Sequence, residues 1–393
     1  MSVLQTLRKS IARWLIRLWA DRRPTTAASS GRLHIVVPRW DAKLGDSIVS
    51  SFFFREARQL NAHVTVLTVA QLAPLHLEAF GVDRVIVTDA NPGFTQLRDI
   101  AAQLGPVDVV VHLVGRIQPA EIMFVHWLRP SRVYSLDDGL RCVNRKLGAA
   151  TAGLSVPERF ERVLRDLGAK AVERKYIVPL PGHFPGASDA PQILVNSYAS
   201  RPDKSLSFDK AVALLQAVAD AYPQKSVAIL CSPDSRTDAQ HVEAAVARRN
   251  VQALKDLNTP TDAAGYIHCA EAVISVDTAI VHMAVGLDTR LVAIYPSMGD
   301  EPNPWLPPLS SKTRVIYSHQ DVQQYRRTGQ KNMNAFAVEE VLAGLDGLLS
   351  TDSEPDTLIT RQAQIVSGLG VATLARQPPL ISQGLRADAV APT

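Results

Sequence analysis

Twice along this chain, short runs of β-branched and other apolar residues alternate with segments of helix length. Such runs suit strands covered on both faces, the situation in parallel sheets whose crossovers are helices. The first series holds LHIVV at 33–37, HVTVLT at 63–68, RVIV at 84–87, VDVVVHL at 107–113 and RVYS at 132–135. A Pro/Gly-rich stretch, PLPGHFPGASDAP at 179–191, interrupts it. The second series then starts with QILVN at 192–196 and continues through SVAIL at 226–230, AVISV at 272–276, LVAIY at 291–295 and RVIY at 314–317. A helix over 336–349 closes it. The pattern predicts two doubly wound, Rossmann-like α/β units, at 33–185 and 190–349, facing each other across a cleft. Residues 24–32 are expected to be a linker, and 351–393 a flexible tail.

Composition narrows the class. Hydrophobic residues make up 46% of the 393 and charged residues 20%, enough apolar material for two cores and too much for a disordered chain. The cysteines, Cys142, Cys231 and Cys269, are far apart and have no metal-ligand or disulfide spacing. Residues 1–23 carry six basic side chains against Asp21 alone, so they hold +5 of a net charge of +4 and leave the rest of the chain at −1. A near-neutral body disfavours nucleic acid as a partner.

That N-terminal segment reads as an amphipathic helix, with Leu4, Leu7, Ile11, Trp14, Leu15 and Leu18 at helical spacing. Such a helix lies in a membrane interface, apolar stripe among acyl chains and arginines near anionic headgroups. Arg13, Trp14, Arg17 and Trp19 are the expected membrane contacts. No stretch approaches the length of a spanning helix.

Three loops concentrate chemistry where strands meet helices, the place where doubly wound sheets bind ligands. The first strand runs into PRWDAKLGDS at 38–47, where Gly45 permits a tight turn before Asp46. Asp46 is either a helix cap or a general base at the cleft. In NSYASRPDKSLS at 196–207, Ser200 and Lys204 stand near a helix start, a ready anion site. In ISVDTAIVHMAVG at 274–286, a strand ends at Asp277 and Thr278, and His282 follows one helical turn after Thr278. Thr278 and His282 can bond a phosphate there, while Asp277 is expected to cap amides or hold sugar hydroxyls. Asp137 and Asp138, in YSLDDGL at 134–140, read first as a turn. There is no Walker A loop, GxGxxG or Asp-x-Asp, and no metal is expected.

In this order and on these elements, the motifs resemble glycosyltransferase family 9, the bacterial lipopolysaccharide heptosyltransferases with the two-domain GT-B fold. The resemblance spans roughly 33–349 and is strongest in KLGDSIVSS, NSYASRPDKSLS and SVDTAIVHMAVGLDTRLVAIYPS. It implies Asp46 as catalytic base and Ser200 and Lys204 at the donor diphosphate. Asp277, Thr278 and His282 would then bind the nucleotide-sugar. Arg39, Lys43 and Asp138 are candidates for acceptor or phosphate contacts. Ala279 stands where the family usually has Gly.

The resemblance further implies an inverting, metal-independent transfer of a sugar, heptose by analogy, from an NDP-sugar such as ADP-heptose to a lipid-linked saccharide. No cofactor is expected. The expected place is the cytoplasm, at the inner face of the bacterial inner membrane, with residues 1–23 on an anionic surface. A sugar-nucleotide epimerase and a non-catalytic membrane-associated scaffold are the alternatives.

Overall fold

The computed structural model describes residues 3–24, 31–184, 191–299 and 301–350. Most of the expected linker at 24–32 and all of the expected tail at 351–393 lie outside them. Two parallel six-stranded sheets organise the chain. In the first, β1 (His34–Arg39), β2 (His63–Thr68), β3 (Arg84–Val87), β4 (Val109–Val111), β5 (Arg132–Ser135) and β6 (Arg145–Lys146) lie in the order β3-β2-β1-β4-β5-β6. In the second, β7 (Ile193–Asn196), β8 (Val227–Ile229), β9 (Val251–Ala253), β10 (Ala272–Val276), β11 (Arg290–Pro296) and β12 (Thr313–Ser318) lie in the order β12-β11-β10-β7-β8-β9. Read from β9, the second sheet repeats the order of the first. Each therefore reverses its winding once, between β1 and β4 and between β7 and β10, and ligand crevices form at such reversals.

Burial explains the strands. β4, β7, β8 and β10 are buried along their whole length, as parallel strands under two helical layers must be. β6 and β9 escaped the sequence reading. Arg145–Lys146 is exposed and charged, and Val251–Ala253 is a short edge strand with Gln252 turned outward, so neither has an apolar run.

The two halves touch through helices. α2 (Leu44–Gln59) follows β1, and α9 (Ala279–Gly286) follows β10. A Cβ built on Gly45 falls 3.3 Å from the Ala279 Cα and 3.2 Å from the His282 Cδ2. The two helix starts are thus in near contact, and a side chain at 45 would have to push His282 and Ala279 back by a few tenths of an ångström. The connecting segment follows α2 before entering the second half. Ile177 N donates to Ser51 Oγ at 2.7 Å and Arg55 Nη1 donates to the Lys175 carbonyl at 3.0 Å. Tyr176 and Val178 then pack on Gly286, where a Cβ would fall 2.6 Å from Val178 Cγ2.

The N-terminal helix, α1 (Val3–Ala20), corrects the orientation expected for its arginines. Arg13 is only 16% exposed and pairs with buried Asp137 at 2.5 Å. Arg17 donates to the Gly139 carbonyl at 2.6 Å, Asp21 accepts from Cys142 N at 2.7 Å, and Ile16 and Ala20 pack on the first core. The face at 13, 16 and 20 therefore lies on the protein, with Arg17, its side chain 41% exposed, at the edge. The stripe of Ile11, Trp14, Leu15 and Leu18, with Trp19, is open, at 51–69% exposed. The reason is electrostatic: Asp137 is almost fully enclosed, and a buried carboxylate needs a cation. Among the described residues, no helix is long and apolar enough to cross a membrane.

Candidate functional site

The second sheet's crevice gathers the predicted donor-side residues. Thr278 is the N-cap of α9 and accepts from Ile280 N at 3.3 Å. It also accepts from Asn196 Nδ2 at 3.0 Å, at the end of β7. Asn196 donates as well to Ser275 Oγ at 3.0 Å. These bonds fix the hydroxyl beside the α9 N-terminal amides, a favourable place for negative charge.

Among the described residues, Asp277 caps no backbone amide. Its Oδ2 takes two ammonium groups, Lys204 Nζ at 2.7 Å and Lys331 Nζ at 3.4 Å. Lys331 was invisible in sequence, since it lies in a motif-free loop over fifty residues from Asp277. Only the fold brings it in: Lys331 N donates to Asp203 Oδ2 at 3.0 Å, and Arg201 grips the same carboxylate with two hydrogen bonds. The Lys331 loop is thus pinned to the Lys204 loop. Burial pulls the Lys331 ammonium below its usual range and Lys204 adds to this, while Asp277 opposes it. Two cations on one carboxylate leave a local surplus of positive charge. Ser200 stands exposed in the adjoining loop.

His282 is buried between the halves, with Tyr176 and Trp305 rings 6.4 Å away. Burial drops its pKa to about 4 against the pull of Asp277, so the ring is neutral near pH 7. Its Nδ1 has no hydrogen-bond partner among the described residues.

Across from this cluster stands Asp46. It occupies the third position of α2, not the cap; the capping position is Lys43. A role as helix cap is therefore excluded. The carboxylate is 18% exposed, and Lys43 Nζ lies 3.9 Å away. Burial pushes its pKa up to about 6; Asp41 adds to the rise, and Arg39 and Lys43 oppose it. A carboxylate poised near 6 can both take and release a proton close to neutrality.

Beside Asp46, a cavity of about 230 Å³ opens at the ends of β1 and β4, the reversal point of the first sheet. Arg39, Trp40, His112, Arg116, Gln118 and Glu121 are among its lining. Glu121 lies on α4 (Pro119–Leu128), 3.3 Å from His112 Nε2. Burial pushes Glu121 upward, but His112 and the Gln118 amide bring it below the usual range. Arg39 Nε and Nη2 are buried without hydrogen-bond partners among the described residues. Asp138 is not in this lining; its two oxygens accept from Gly148 N and Ala149 N, as a turn residue's do. A larger cavity, about 690 Å³, opens near β9 beside Phe184, Glu243, Lys255 and Asp262. It includes none of the residues singled out in sequence.

Residues 125–335 match the sequence model for glycosyltransferase family 9 (heptosyltransferase). Among solved structures, a family 9 glycosyl transferase from Veillonella parvula is similar at a TM-score of 0.64 and 16% identity, covering 83% of this chain and 100% of that one. E. coli ADP-heptose lipopolysaccharide heptosyltransferase II is similar at 0.58 and 19%, covering 82% and 100%. E. coli heptosyltransferase WaaC with ADP is similar at 0.53 and 15%, covering 81% and 98%. No curated protein matches the chain by sequence. At these identities the structures speak for the fold alone, which is the GT-B arrangement of two doubly wound halves.

Proposed function

Because the chain belongs to glycosyltransferase family 9, we propose that it moves a heptose from ADP-heptose to a lipid-linked saccharide, with inversion at the anomeric carbon. The observation that supports this most is the close approach of Gly45 to Ala279. It sets Asp46, a carboxylate near pKa 6, opposite the Lys204–Asp277–Lys331 cluster across one cleft.

In the proposed step, the donor diphosphate lies against Lys204, Lys331, Ser200 and the α9 start, where Thr278 offers its hydroxyl. The ammonium groups leave Asp277 for the phosphates, and Asp277 stays beside them as their counter-ion. The acceptor occupies the cavity beside Arg39 and Trp40. Its hydroxyl oxygen forms the new bond to the anomeric carbon as the bond from that carbon to the diphosphate oxygen breaks. The electron pair leaves with ADP, and the hydroxyl proton goes to Asp46. One displacement inverts the centre. Positive side chains and helix amides that are already in place stabilise the departing charge, so the step needs no divalent cation. Two E. coli relatives point to the donor: one is described as an ADP-heptose heptosyltransferase, and the other was solved with ADP.

We place the enzyme at a membrane surface through the open stripe of α1, in keeping with a lipid-linked acceptor. The decisive experiment is transfer from ADP-heptose by wild type and Asp46→Asn. Loss of a general base lowers turnover by about 10²–10⁴-fold, with ADP affinity unchanged. Turnover within about threefold of wild type would remove Asp46 from the mechanism.

A further inference from the structure

We propose that Arg13, on the N-terminal helix, is a positioning residue that fixes one wall of the cavity beside Asp46. The inference rests on reading that cavity as the acceptor site. α1 lies outside the stretch that matches the family and outside both sheets, yet its Arg13 side chain reaches the cavity wall.

The contact closes a ring. Arg13 Nη2 lies 2.5 Å from Asp137 Oδ2, and that oxygen also accepts from Ile117 N at 2.9 Å. Arg13 Nε donates to the Ile117 carbonyl at 3.2 Å. One ion pair thus satisfies both backbone polar groups of Ile117, a residue with no exposed surface. Its neighbours Arg116 and Gln118 line the cavity. Gln118 caps α4 with Glu121, whose Oε2 accepts from Gln118 N at 2.6 Å. Glu121 meets His112, and Trp40 packs edge-on against the His112 ring at 5.4 Å. Trp40 begins the loop that leads to Asp46. A continuous chain of contacts therefore runs from α1 through the cavity wall to the loop before Asp46.

Anchoring the helix does not require Arg13. Arg17, Asp21, Ile16 and Ala20 hold α1 independently. Arg13 differs in reaching the 114–118 wall. Without its guanidinium, the Asp137 carboxylate is buried with a backbone amide and no cation, and the Ile117 carbonyl loses its donor. Buried groups left unpaired favour rearrangement of the segment that carries them. Small displacements of substrate-positioning groups are expensive in rate.

The test compares Arg13→Gln, Arg13→Lys and Arg17→Gln with wild type. Three quantities are read: amide hydrogen exchange at 114–121 and at 196–204, the KM for a lipid-free acceptor saccharide with ADP-heptose as donor, and ADP affinity. A lipid-free acceptor separates positioning from membrane attachment. Arg13→Gln should speed exchange at Ile117 and raise the acceptor KM on the order of 10-fold, with ADP affinity and exchange at 196–204 unmoved. Arg13→Lys should recover part of both losses, and Arg17→Gln should produce neither. Unchanged exchange at Ile117, or an equal rise in acceptor KM in Arg17→Gln, would overturn the proposal. If wild type transferred to no saccharide, the proposed transfer would fail, and exchange at Ile117 would still decide the brace.

Discussion

The carboxyl group of Asp46 is held in its ionised form at the expense of stability. Its pKa in the fold is about 6, raised chiefly by burial, against roughly 3.9 in an unfolded chain. Between those values the folded state binds more protons than the unfolded one, so stability falls as pH rises from about 4 to about 6. The shift corresponds to at most about 3 kcal/mol above pH 6. Asp46→Asn should therefore raise the melting temperature near pH 8 and leave it unchanged below about pH 4. Turnover of wild type should rise through about pH 6 as the base ionises. A melting temperature that falls on substitution at pH 8 would contradict the assignment. The sequence motifs located Asp46, Lys204, Asp277, Thr278 and His282, because each sits at a strand-to-helix junction that a local pattern marks. Lys331 has no such mark: its place depends on the Asp203 carboxylate, which lies 128 residues away.

Among the elements, the pair α2 and α9 matters most. Ala279 replaces the Gly usual in the family, and in the structure its Cα lies within van der Waals reach of the Gly45 position. Gly45→Ala forces a Cβ to 3.2–3.3 Å from His282 and Ala279. Overpacking of this kind costs about 1–3 kcal/mol, and here the neighbours that must move are the buried His282 ring and helix backbone. The variant should unfold at lower denaturant concentration and lose transfer more than it loses ADP affinity. A Gly45→Ala enzyme with full stability and turnover would show that the two helix starts are not held this closely. The first turn of α2, Leu44 to Asp46, reads in sequence as a tight turn at Gly45, because a Leu-Gly-Asp start carries no capping side chain to announce a helix.

Taken whole, the described molecule presents an apolar stripe to solvent along α1 while Arg13 of that helix is held against the protein. This inverts ordinary surface amphipathicity and changes the expected character of membrane binding. With Arg13 turned inward and Arg17 hydrogen-bonded to the Gly139 carbonyl, the apolar side chains of Ile11, Trp14, Leu15 and Leu18 should carry most of the affinity. Burying a large apolar side chain is worth about 1.5–3 kcal/mol, so the double variant Trp14→Ser, Leu18→Ser should cut vesicle partitioning by roughly 100-fold or more. Raising salt from about 0.1 M to about 1 M, which shortens the screening length from about 10 Å to about 3 Å, should weaken wild-type binding far less. Binding abolished by salt would instead assign the contact to the exposed arginines Arg17, Arg22 and Arg23.

The sequence by itself determined the two doubly wound halves, because buried parallel strands must be apolar along their length and the restart at 192 is written in composition. It also determined the loops that carry charge, since glycine, aspartate and lysine at strand ends are local signals. Tertiary structure alone decided which face of α1 meets the protein, because helical periodicity defines two faces without saying which one finds a partner. The partner is Asp137, a buried carboxylate more than a hundred residues away. Long-range charge pairing also brought Lys331 to Asp277. Such pairings depend on distances in space, and no spacing along the chain encodes them.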